Sequence, residues 1–224
     1  VEADAVVRKG AVLSLSLSNY RRAGLLQSLM RYRLVLIAAA LLALVLTAPA
    51  SAKYRVGLGE QNPQMFDQPA WQSMKLKRVR YIVSWDYAKQ PFEVAEVSAF
   101  MNAARAHKQE VLVEFNAHRG CFVNNKYRKT AKACKAPSAK AYTAAVKGFR
   151  KQFPYAKVFA PWNEVNHVSQ PTYRKPALAA RYYKAMKSVC KKCTIMAADV
   201  LDSSDVASYL RKFQAATKHK GRIW

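Results

Sequence analysis

The feature that most constrains the fold is a repeated alternation between short apolar segments and longer amphipathic ones. The apolar segments lack a steady inward and outward alternation, which is typical of strands covered on both faces. The predicted strands are Tyr54–Gly59, Val79–Trp85, Val111–Phe115, Lys157–Trp162 and Thr194–Ala198, and a sixth begins at Arg222-Ile223-Trp224.

Four predicted helices between these strands each carry apolar residues at a spacing of three or four, which indicates one packed face. The stripes are Val94, Val97, Met101 and Ala104; Tyr142, Ala145, Val146, Phe149 and Phe153; Leu178, Tyr182, Ala185, Met186 and Val189; and Val206, Leu210 and Phe213. Ser138 is the predicted N-cap of the second of these helices. Pro176 suits the first turn of the third, and Ser203 or Ser204 precedes the fourth.

This alternation predicts an α/β fold with a parallel sheet and right-handed crossovers. Two architectures satisfy it: a closed (β/α)8 TIM barrel and an open, doubly wound sheet. A nucleotide-binding doubly wound sheet would carry a glycine-rich turn after its first strand. Gly57-Leu58-Gly59 lacks the third glycine and the helix start that this turn requires, so the pattern favours the barrel.

Polar residues follow every predicted strand, which is where TIM barrels build their active sites. They are Glu60, Gln61 and Asn62; Ser84, Trp85 and Asp86; Asn116 and His118; Asn163, Glu164, Asn166 and His167; and Asp199 and Asp202. The sequence therefore predicts one polar site at the carboxyl ends of the strands.

The fourth of these strand ends reads Pro161-Trp162-Asn163-Glu164-Val165-Asn166-His167. It resembles the Asn-Glu motif at the end of strand four in the retaining glycoside hydrolases of clan A, which are secreted TIM-barrel enzymes in many bacteria. The resemblance covers Tyr54 to Trp224 and implies that Glu164 is the general acid/base. It also implies that Asn163 binds the sugar 2-hydroxyl group. A strand end beside Trp162 offers the partial desolvation that favours a protonated acid.

Other residues at these strand ends are candidates for substrate binding. Trp85 and Trp162 could each offer an aromatic face to a sugar ring, and His118 and His167 are candidate partners for Glu164 or substrate. The predicted binding set is Trp85, Asp86, Asn116, His118, Trp162, Asn166 and His167. Glu114, inside strand three, is interpreted as a buried carboxylate paired with an arginine. No cofactor or metal motif is recognised in the sequence.

One departure from the clan A pattern affects the expected activity. The clan's nucleophile is a glutamate at the end of strand seven, whereas the sequence extends to the start of strand six. We therefore expect an incomplete barrel of about five βα units, with catalysis requiring a longer protein and residues 53–224 inactive by themselves. The alternative is an exported, non-catalytic polysaccharide- or cell-envelope-binding protein that uses the same cleft.

The first 52 residues predict export. Basic Arg31 and Arg33 precede an apolar run from Leu34 to Leu46, and Ala50-Ser51-Ala52 forms an Ala-x-Ala site, so residues 30–52 resemble a signal peptide cleaved after Ala52. The run is shorter than the roughly 20 residues of a membrane span. Residues 1–29 are interpreted as a mis-assigned gene start or a disordered extension, and residues 53–224 as the partial catalytic domain.

The chain carries a net charge of +25, and residues 53–224 keep 32 of the basic and 11 of the acidic residues, a net +21. Such a field favours anionic partners, among them acidic cell-envelope polymers. Export and the absence of a recognisable nucleic-acid module argue against nucleic acid. A solvated basic surface without a specific partner remains the alternative.

All four cysteines lie in the predicted exported part, where an even number indicates disulfides. Their spacing suggests Cys121 with Cys134 and Cys190 with Cys193, although four cysteines permit three connectivities. The Cys190-Lys191-Lys192-Cys193 pair follows a helix instead of opening one, which argues against a thioredoxin-like redox motif.

Overall fold

The computed structural model describes residues 55–218, and these form a mostly parallel α/β unit. The strands are β1 (Leu58–Gly59), β2 (Arg78–Ser84), β3 (Glu110–Asn116), β4 (Phe122–Val123), β5 (Lys126–Tyr127), β6 (Val158–Ala160) and β7 (Thr194–Ile195). Five of them make one parallel sheet in the order β1-β2-β3-β6-β7, so neighbouring strands follow the chain without a reversal. The prediction of a parallel α/β sheet is confirmed.

The five predicted strands all exist within the described residues, but their lengths differ from prediction. The second and third extend one residue further at their amino ends, while the first, fourth and fifth are shorter than predicted. The register aligns Val79 with Val111 and Val113 with Phe159, so apolar side chains of three strands share one face. The strand predicted at Arg222 lies outside the described residues.

Helices connect the sheet strands within residues 55–218. They are α1 (Pro69–Met74), α2 (Pro91–Ala106), α3 (Ala139–Gln152), α4 (Pro176–Val189) and α5 (Val206–Ala216), with 3-10 turns at Pro63–Asp67, Tyr87–Lys89 and Lys132–Cys134. The predicted cap of α3 is confirmed, because the Ser138 hydroxyl accepts a hydrogen bond from the Ala141 N–H (3.2 Å). The N-cap residue of α5 is Asp205, which follows the two serines that precede the helix in the sequence, and it makes no side-chain capping bond.

The prediction that both faces of each strand are fully covered needs correction. In β2 the buried residues Val79, Tyr81 and Val83 alternate with half-buried Arg80 and Ile82. Tyr81 stacks on Phe100 of α2, with ring centroids 4.3 Å apart, so the fully buried face is the one that meets the helices. The opposite face of β2 is less completely buried, so burial along the strand alternates with a period of two residues.

An aromatic cluster forms the centre of the core between the sheet and the helices. Phe149 of α3 is fully buried and its ring lies 5.6 Å from Phe115 and 5.7 Å from Tyr87. Further along the same layer, Tyr182 of α4 stacks on Trp162 at 4.8 Å. The helical stripes therefore bury aromatic rings, which contribute more apolar area per residue than any other side chains.

The segment between β3 and α3 contains a hairpin that the sequence pattern did not predict. Strands β4 and β5 pair antiparallel around Asn124 and Asn125, whose φ angles of 49° and 58° lie in the left-handed region. Two successive left-handed residues are typical of a type I′ turn, and asparagine tolerates this conformation better than most residues.

Two disulfides connect the predicted cysteine pairs. Cys121 joins Cys134 across this hairpin segment, and Cys190 joins Cys193 after α4, with Cα–Cα distances of 5.5 and 5.4 Å. The predicted connectivity is thus confirmed. The predicted signal peptide and the extension before it lie outside the described residues, and no helix among residues 55–218 is long and apolar enough to span a membrane.

Candidate functional site at the carboxyl edge of the sheet

Backbone hydrogen bonds continue beyond the strand ends and bring the polar segments together. The Trp85 N–H donates to the Asn116 carbonyl (2.9 Å), and the Asn163 N–H donates to the Phe115 carbonyl (2.7 Å). The Val165 N–H donates to the Asp199 carbonyl (2.9 Å). Because the carboxyl ends of parallel strands meet at one edge, four of the predicted strand-end segments lie side by side there.

Glu164 occupies a strained position at this edge. Its φ of 44° lies in the left-handed region, which a non-glycine residue enters at a free-energy cost on the order of 1 to 3 kcal/mol. The Asp199 carboxyl group holds the turn by accepting a hydrogen bond from the Glu164 N–H at Oδ2 (3.1 Å). The Glu164 side chain remains about one third exposed, so the strained turn presents this carboxyl group to solvent.

His167 lies next to the Glu164 carboxyl group. The distance from His167 Nδ1 to Glu164 Oε2 is 3.7 Å, and the same nitrogen lies 2.7 Å from the Ser169 hydroxyl. One turn of chain therefore carries a carboxyl group and an imidazole that face each other. His167 is a predicted site residue that the structure does bring to Glu164.

Glu114 is a buried carboxyl group behind this turn, close to the half-buried Asp199. Its carboxyl group lies on the half-buried face of β3, in register with Ile82 and Ala160. Burial, followed by the nearby Asp199 carboxylate, raises the pKa of Glu114 to about 8, although Arg80 opposes the shift. The Arg80 contact is long, with Nη1 3.4 Å from Glu114 Oε2, and confirms the predicted pairing with an arginine. At pH 7 the carboxyl group of Glu114 is mainly protonated.

Asn163 bridges the two carboxyl groups. With its amide oriented so that Nδ2 faces them, it donates to Glu114 Oε2 (3.0 Å) and to Asp199 Oδ2 (3.3 Å). The opposite orientation would set the amide oxygen against two carboxyl oxygens. Asn163 is buried, and its nitrogen anchors the turn.

A second polar cluster follows β2. His118 Nδ1 lies 2.9 Å from Asp86 Oδ2, and Asp86 Oδ1 accepts from the Gln90 amide (3.3 Å). The Gln90 amide also donates to buried Glu93 (2.9 Å), which in turn accepts from the Ser84 N–H (2.9 Å). Predicted site residues Asp86 and His118 are therefore paired with each other and fixed by a buried network.

Two predicted binding residues have structural roles in the described chain. Trp162 is fully buried, stacked on Tyr182, and its indole N–H donates to Gln170 (2.9 Å), so it has no free face for a sugar ring. The Asn166 amide bonds Leu201 through both its carbonyl oxygen and its nitrogen (2.8 Å each). These two expectations need correction, since packing and loop anchoring use the groups that a substrate would need.

Trp85 and Asn116 are better placed to meet a ligand. Trp85 is half-buried, with Lys89 Nζ 5.4 Å from its ring centroid. Asn116 Oδ1 is buried and has no hydrogen-bond partner among the described residues. A buried acceptor without a donor is unfavourable, so a donor from a bound molecule would stabilise it.

Sequence reasoning missed the contribution of Asp199. It was recognised as a polar residue after the fifth predicted strand, but its contacts to Glu164 and Asn163 depend on the pairing of β6 with β7. Glu114 was interpreted correctly as buried but not as a neighbour of Asp199. The sequence signal for the roles of Asp199 and Glu114 is weak, because single acidic residues occur in many loops. Within residues 55–218 no cluster of three potential metal ligands is present.

Comparison with known proteins finds distant structural neighbours. The sequence matches no protein-family model and no curated protein. A solved family 39 glycoside hydrolase from the gut symbiont Bacteroides cellulosilyticus WH2 aligns with 18% identity and a TM-score of 0.39 over 62% of this chain and 30% of that one. Another structure, of a glycoside hydrolase, aligns with 13% identity and a TM-score of 0.40 over 63% of this chain and 51% of that one. The chain thus spans less than two thirds of either, and the similarity is too weak to transfer residue roles.

Proposed function

We propose that this chain carries the acid/base part of an exported retaining glycoside hydrolase that cleaves O-glycosidic bonds. Glu164 is the general acid/base. The observation that supports this role is the Glu164 turn itself, with φ of 44°, a carboxyl group partly open to solvent and an anchor on Asp199. Strained backbone at a polar sheet edge is a common property of catalytic residues.

The proposed architecture is part of a (β/α)8 barrel. Sequential strand order without a reversal supports it, because a doubly wound sheet changes direction at its centre. The position of the polar residues supports it as well, since TIM-barrel enzymes place their chemistry at the carboxyl ends of the strands.

The reaction divides between two carboxyl groups. Glu164 protonates the leaving oxygen while a carboxylate attacks the anomeric carbon, and Glu164 then accepts a proton from the water that hydrolyses the glycosyl intermediate. By the clan A resemblance the attacking carboxylate belongs to the seventh strand of a complete barrel, which is not among the five parallel sheet strands of residues 55–218. We assign the nucleophile to a longer protein that contains this chain.

Neighbouring residues support Glu164 in this proposal. Asp199 and Asn163 fix the turn, and Asn163 also faces the sugar 2-hydroxyl group through its oxygen. Trp85 supplies an apolar surface for a sugar ring, and the unpaired Asn116 oxygen accepts from a hydroxyl group. His167 orients the Glu164 carboxyl group from 3.7 Å.

The decisive experiment compares Glu164→Gln with the wild type in the longest natural protein that contains this chain. For a glycoside with a poor leaving group, we expect kcat/KM to fall about 10²- to 10⁴-fold, because leaving-group protonation is lost. For an activated dinitrophenyl glycoside the first step needs little protonation, so the fall should be smaller. Azide should then restore turnover and yield a glycosyl azide of retained configuration.

Glu110→Gln is the matched control, because Glu110 is an exposed carboxylate at the amino end of β3, at the opposite edge of the sheet from Glu164. This variant should leave kcat/KM for both substrates unchanged. Full turnover of the unactivated glycoside by Glu164→Gln would contradict the acid/base assignment.

A second function is a non-catalytic, exported polysaccharide- or envelope-binding protein. The observation that favours it is a group of surface cations that form no ion pair within residues 55–218. Saturable glycan binding by the longer protein, with no turnover of any glycoside, would support this function over hydrolysis.

A further inference from the structure

Two adjoining cavities lie beside the loop that carries Glu164. The larger, about 720 Å³, opens between the starts of α3 and α4. The smaller, about 220 Å³, lies against the hairpin segment closed by Cys121 and Cys134. Ala136 and Lys175 line both cavities, so the two adjoin, and together they are here called the basic groove.

The lining of the basic groove is strongly and uniformly positive. Its six cationic residues are Lys129, Lys135, Arg174, Lys175, Arg181 and Lys212, and neither cavity is lined by any Asp or Glu. None of the six forms an ion pair within residues 55–218, whereas Arg78, Arg80 and Arg119 each have a carboxylate partner. A depression lined by one sign of charge concentrates the field, which attracts an anionic ligand.

The walls of the groove are held in place by buried contacts. The Tyr182 hydroxyl donates to the Pro137 carbonyl (2.8 Å), while its ring stacks on Trp162. The Tyr127 hydroxyl donates to the carbonyl of Cys134, which is fixed by its disulfide. A preformed wall lowers the ordering cost of binding.

The smaller cavity of the groove borders the loop that carries the candidate site. Val168 and Gln170 line this cavity and belong to the same loop as Glu164. Gln170 donates to the Ser169 hydroxyl (2.9 Å), and that hydroxyl lies 2.7 Å from His167 Nδ1. A polymer lying in the groove would therefore lie next to the loop that carries His167 and Glu164, neither of which lines the groove.

We propose that the basic groove is a binding site for an anionic polysaccharide whose carboxylate or sulfate groups pair with its cations. The glycan nature of the ligand rests on the proposed function. The requirement for regular negative charge rests on the lining itself. Two adjoining cavities with six dispersed cations suit an extended chain with a charge on successive sugars better than a single small anion.

The test measures binding of polygalacturonate, dextran sulfate and neutral dextran to the full chain by titration calorimetry. We expect saturable binding of at least one anionic polymer, weakened by added salt, and at least tenfold weaker binding of dextran. The double variant Arg181→Gln/Lys212→Gln should weaken binding of the anionic polymer about tenfold, because two exposed charge contacts are lost. Whichever of the two polymers binds more tightly distinguishes a uronate from a sulfated ligand.

Lys147→Gln/Lys151→Gln is the matched control, since it removes the same charge from two exposed positions of α3 outside the groove. It should change the affinity less than twofold, and Arg181→Lys/Lys212→Arg should retain wild-type affinity. Equal weakening by both neutral pairs, or equal binding of neutral dextran, would overturn the proposal. Displacement of the glycan by duplex DNA at equal charge concentration would identify a non-selective polyanion surface and would also overturn it.

Binding is measured without turnover, so this result is independent of the catalytic test. Glu164→Gln should bind the anionic polymer with wild-type affinity, because Glu164 is not part of the groove lining. Loss of activity in that variant with retained binding would support both proposals. Retained activity in that variant, with groove-dependent binding, would contradict only the acid/base role.

Discussion

The two faces of the parallel sheet illustrate different uses of a buried position. On the helix-covered face, Val113 and Phe115 of β3 meet apolar and aromatic side chains and carry no charge. On the other face, Glu114 between them holds a carboxyl group close to Arg80 and Asp199. The helix-covered face stabilises the fold through packing. On the face that carries Glu114, burial of a carboxyl group costs free energy, and this face positions the Glu164 turn.

The largest expected effect tests the packed face. Phe149→Ala should lower the free energy of unfolding by about 3 to 5 kcal/mol, because it removes a fully buried ring at the centre of the aromatic cluster. Urea unfolding followed by circular dichroism measures the change.

Phe92→Ala serves as the control for this variant, because Phe92 is 52% exposed at the start of α2. It should change the free energy of unfolding by no more than about 0.5 kcal/mol. Similar losses for the two phenylalanines would show that the aromatic cluster does not dominate stability.

The next effect tests the face that carries Glu114, through the pH dependence of the free energy of unfolding. The folded pKa of Glu114, about 8, lies above the ordinary value of 4.5 for this side chain. The unfolded state therefore releases this proton first, and the stability of the wild type should fall as pH rises from about 4.5 to 8. Glu114→Gln removes this decline, so the variant should gain stability relative to the wild type over that range, by an amount on the order of a few kcal/mol. Urea midpoints at intervals of pH measure it.

Glu110→Gln is the control on the same strand, since Glu110 is exposed and paired with Arg78. Its stability should keep the wild-type decline between pH 4.5 and 8. A decline of the same size in Glu114→Gln would show that Glu114 titrates normally, and the contrast between the two faces would then fail.

The smallest effect separates helix capping from packing on the covered face. Ser138→Ala removes the hydroxyl that caps α3 and should lower the free energy of unfolding by about 1 kcal/mol. Ser188→Ala, which changes an exposed serine near the end of α4, should have less effect. Thermal unfolding of the two variants measures the difference, and a loss for Ser138→Ala as large as for Phe149→Ala would mean that packing is not the main source of helix stability.

Local patterns predicted much of the fold. The stripe from Tyr142 to Phe153 predicted α3 and its buried face, and Ser138 predicted its cap, because helical spacing and capping depend on residues within one or two turns. The hairpin around Asn124 and the cap of α5 were not predicted. The sequence signals for a two-residue turn and for an N-cap extend over few residues. Several nearby residues could equally well have occupied the turn or the cap position.

The candidate site was predicted only in part. A polar strand end at Asn163 and Glu164 was evident because it interrupts an apolar run. The burial of Trp162 and the anchoring of Leu201 by Asn166 were not evident, because they depend on how α4 and the loop after β7 pack against that strand end.

The sequence alone determined the alternation of strands and helices and the position of the polar strand ends, and it suggested the cysteine pairing that the structure shows. Only the tertiary structure decided that Glu114, Asn163 and Asp199 meet, and that cations from several segments line one groove. The physical reason is the distance along the chain over which each property is set. Periodicity and capping are set by neighbours along the chain, whereas a pKa shift or a charged groove is set by residues that strand register and helix packing bring together.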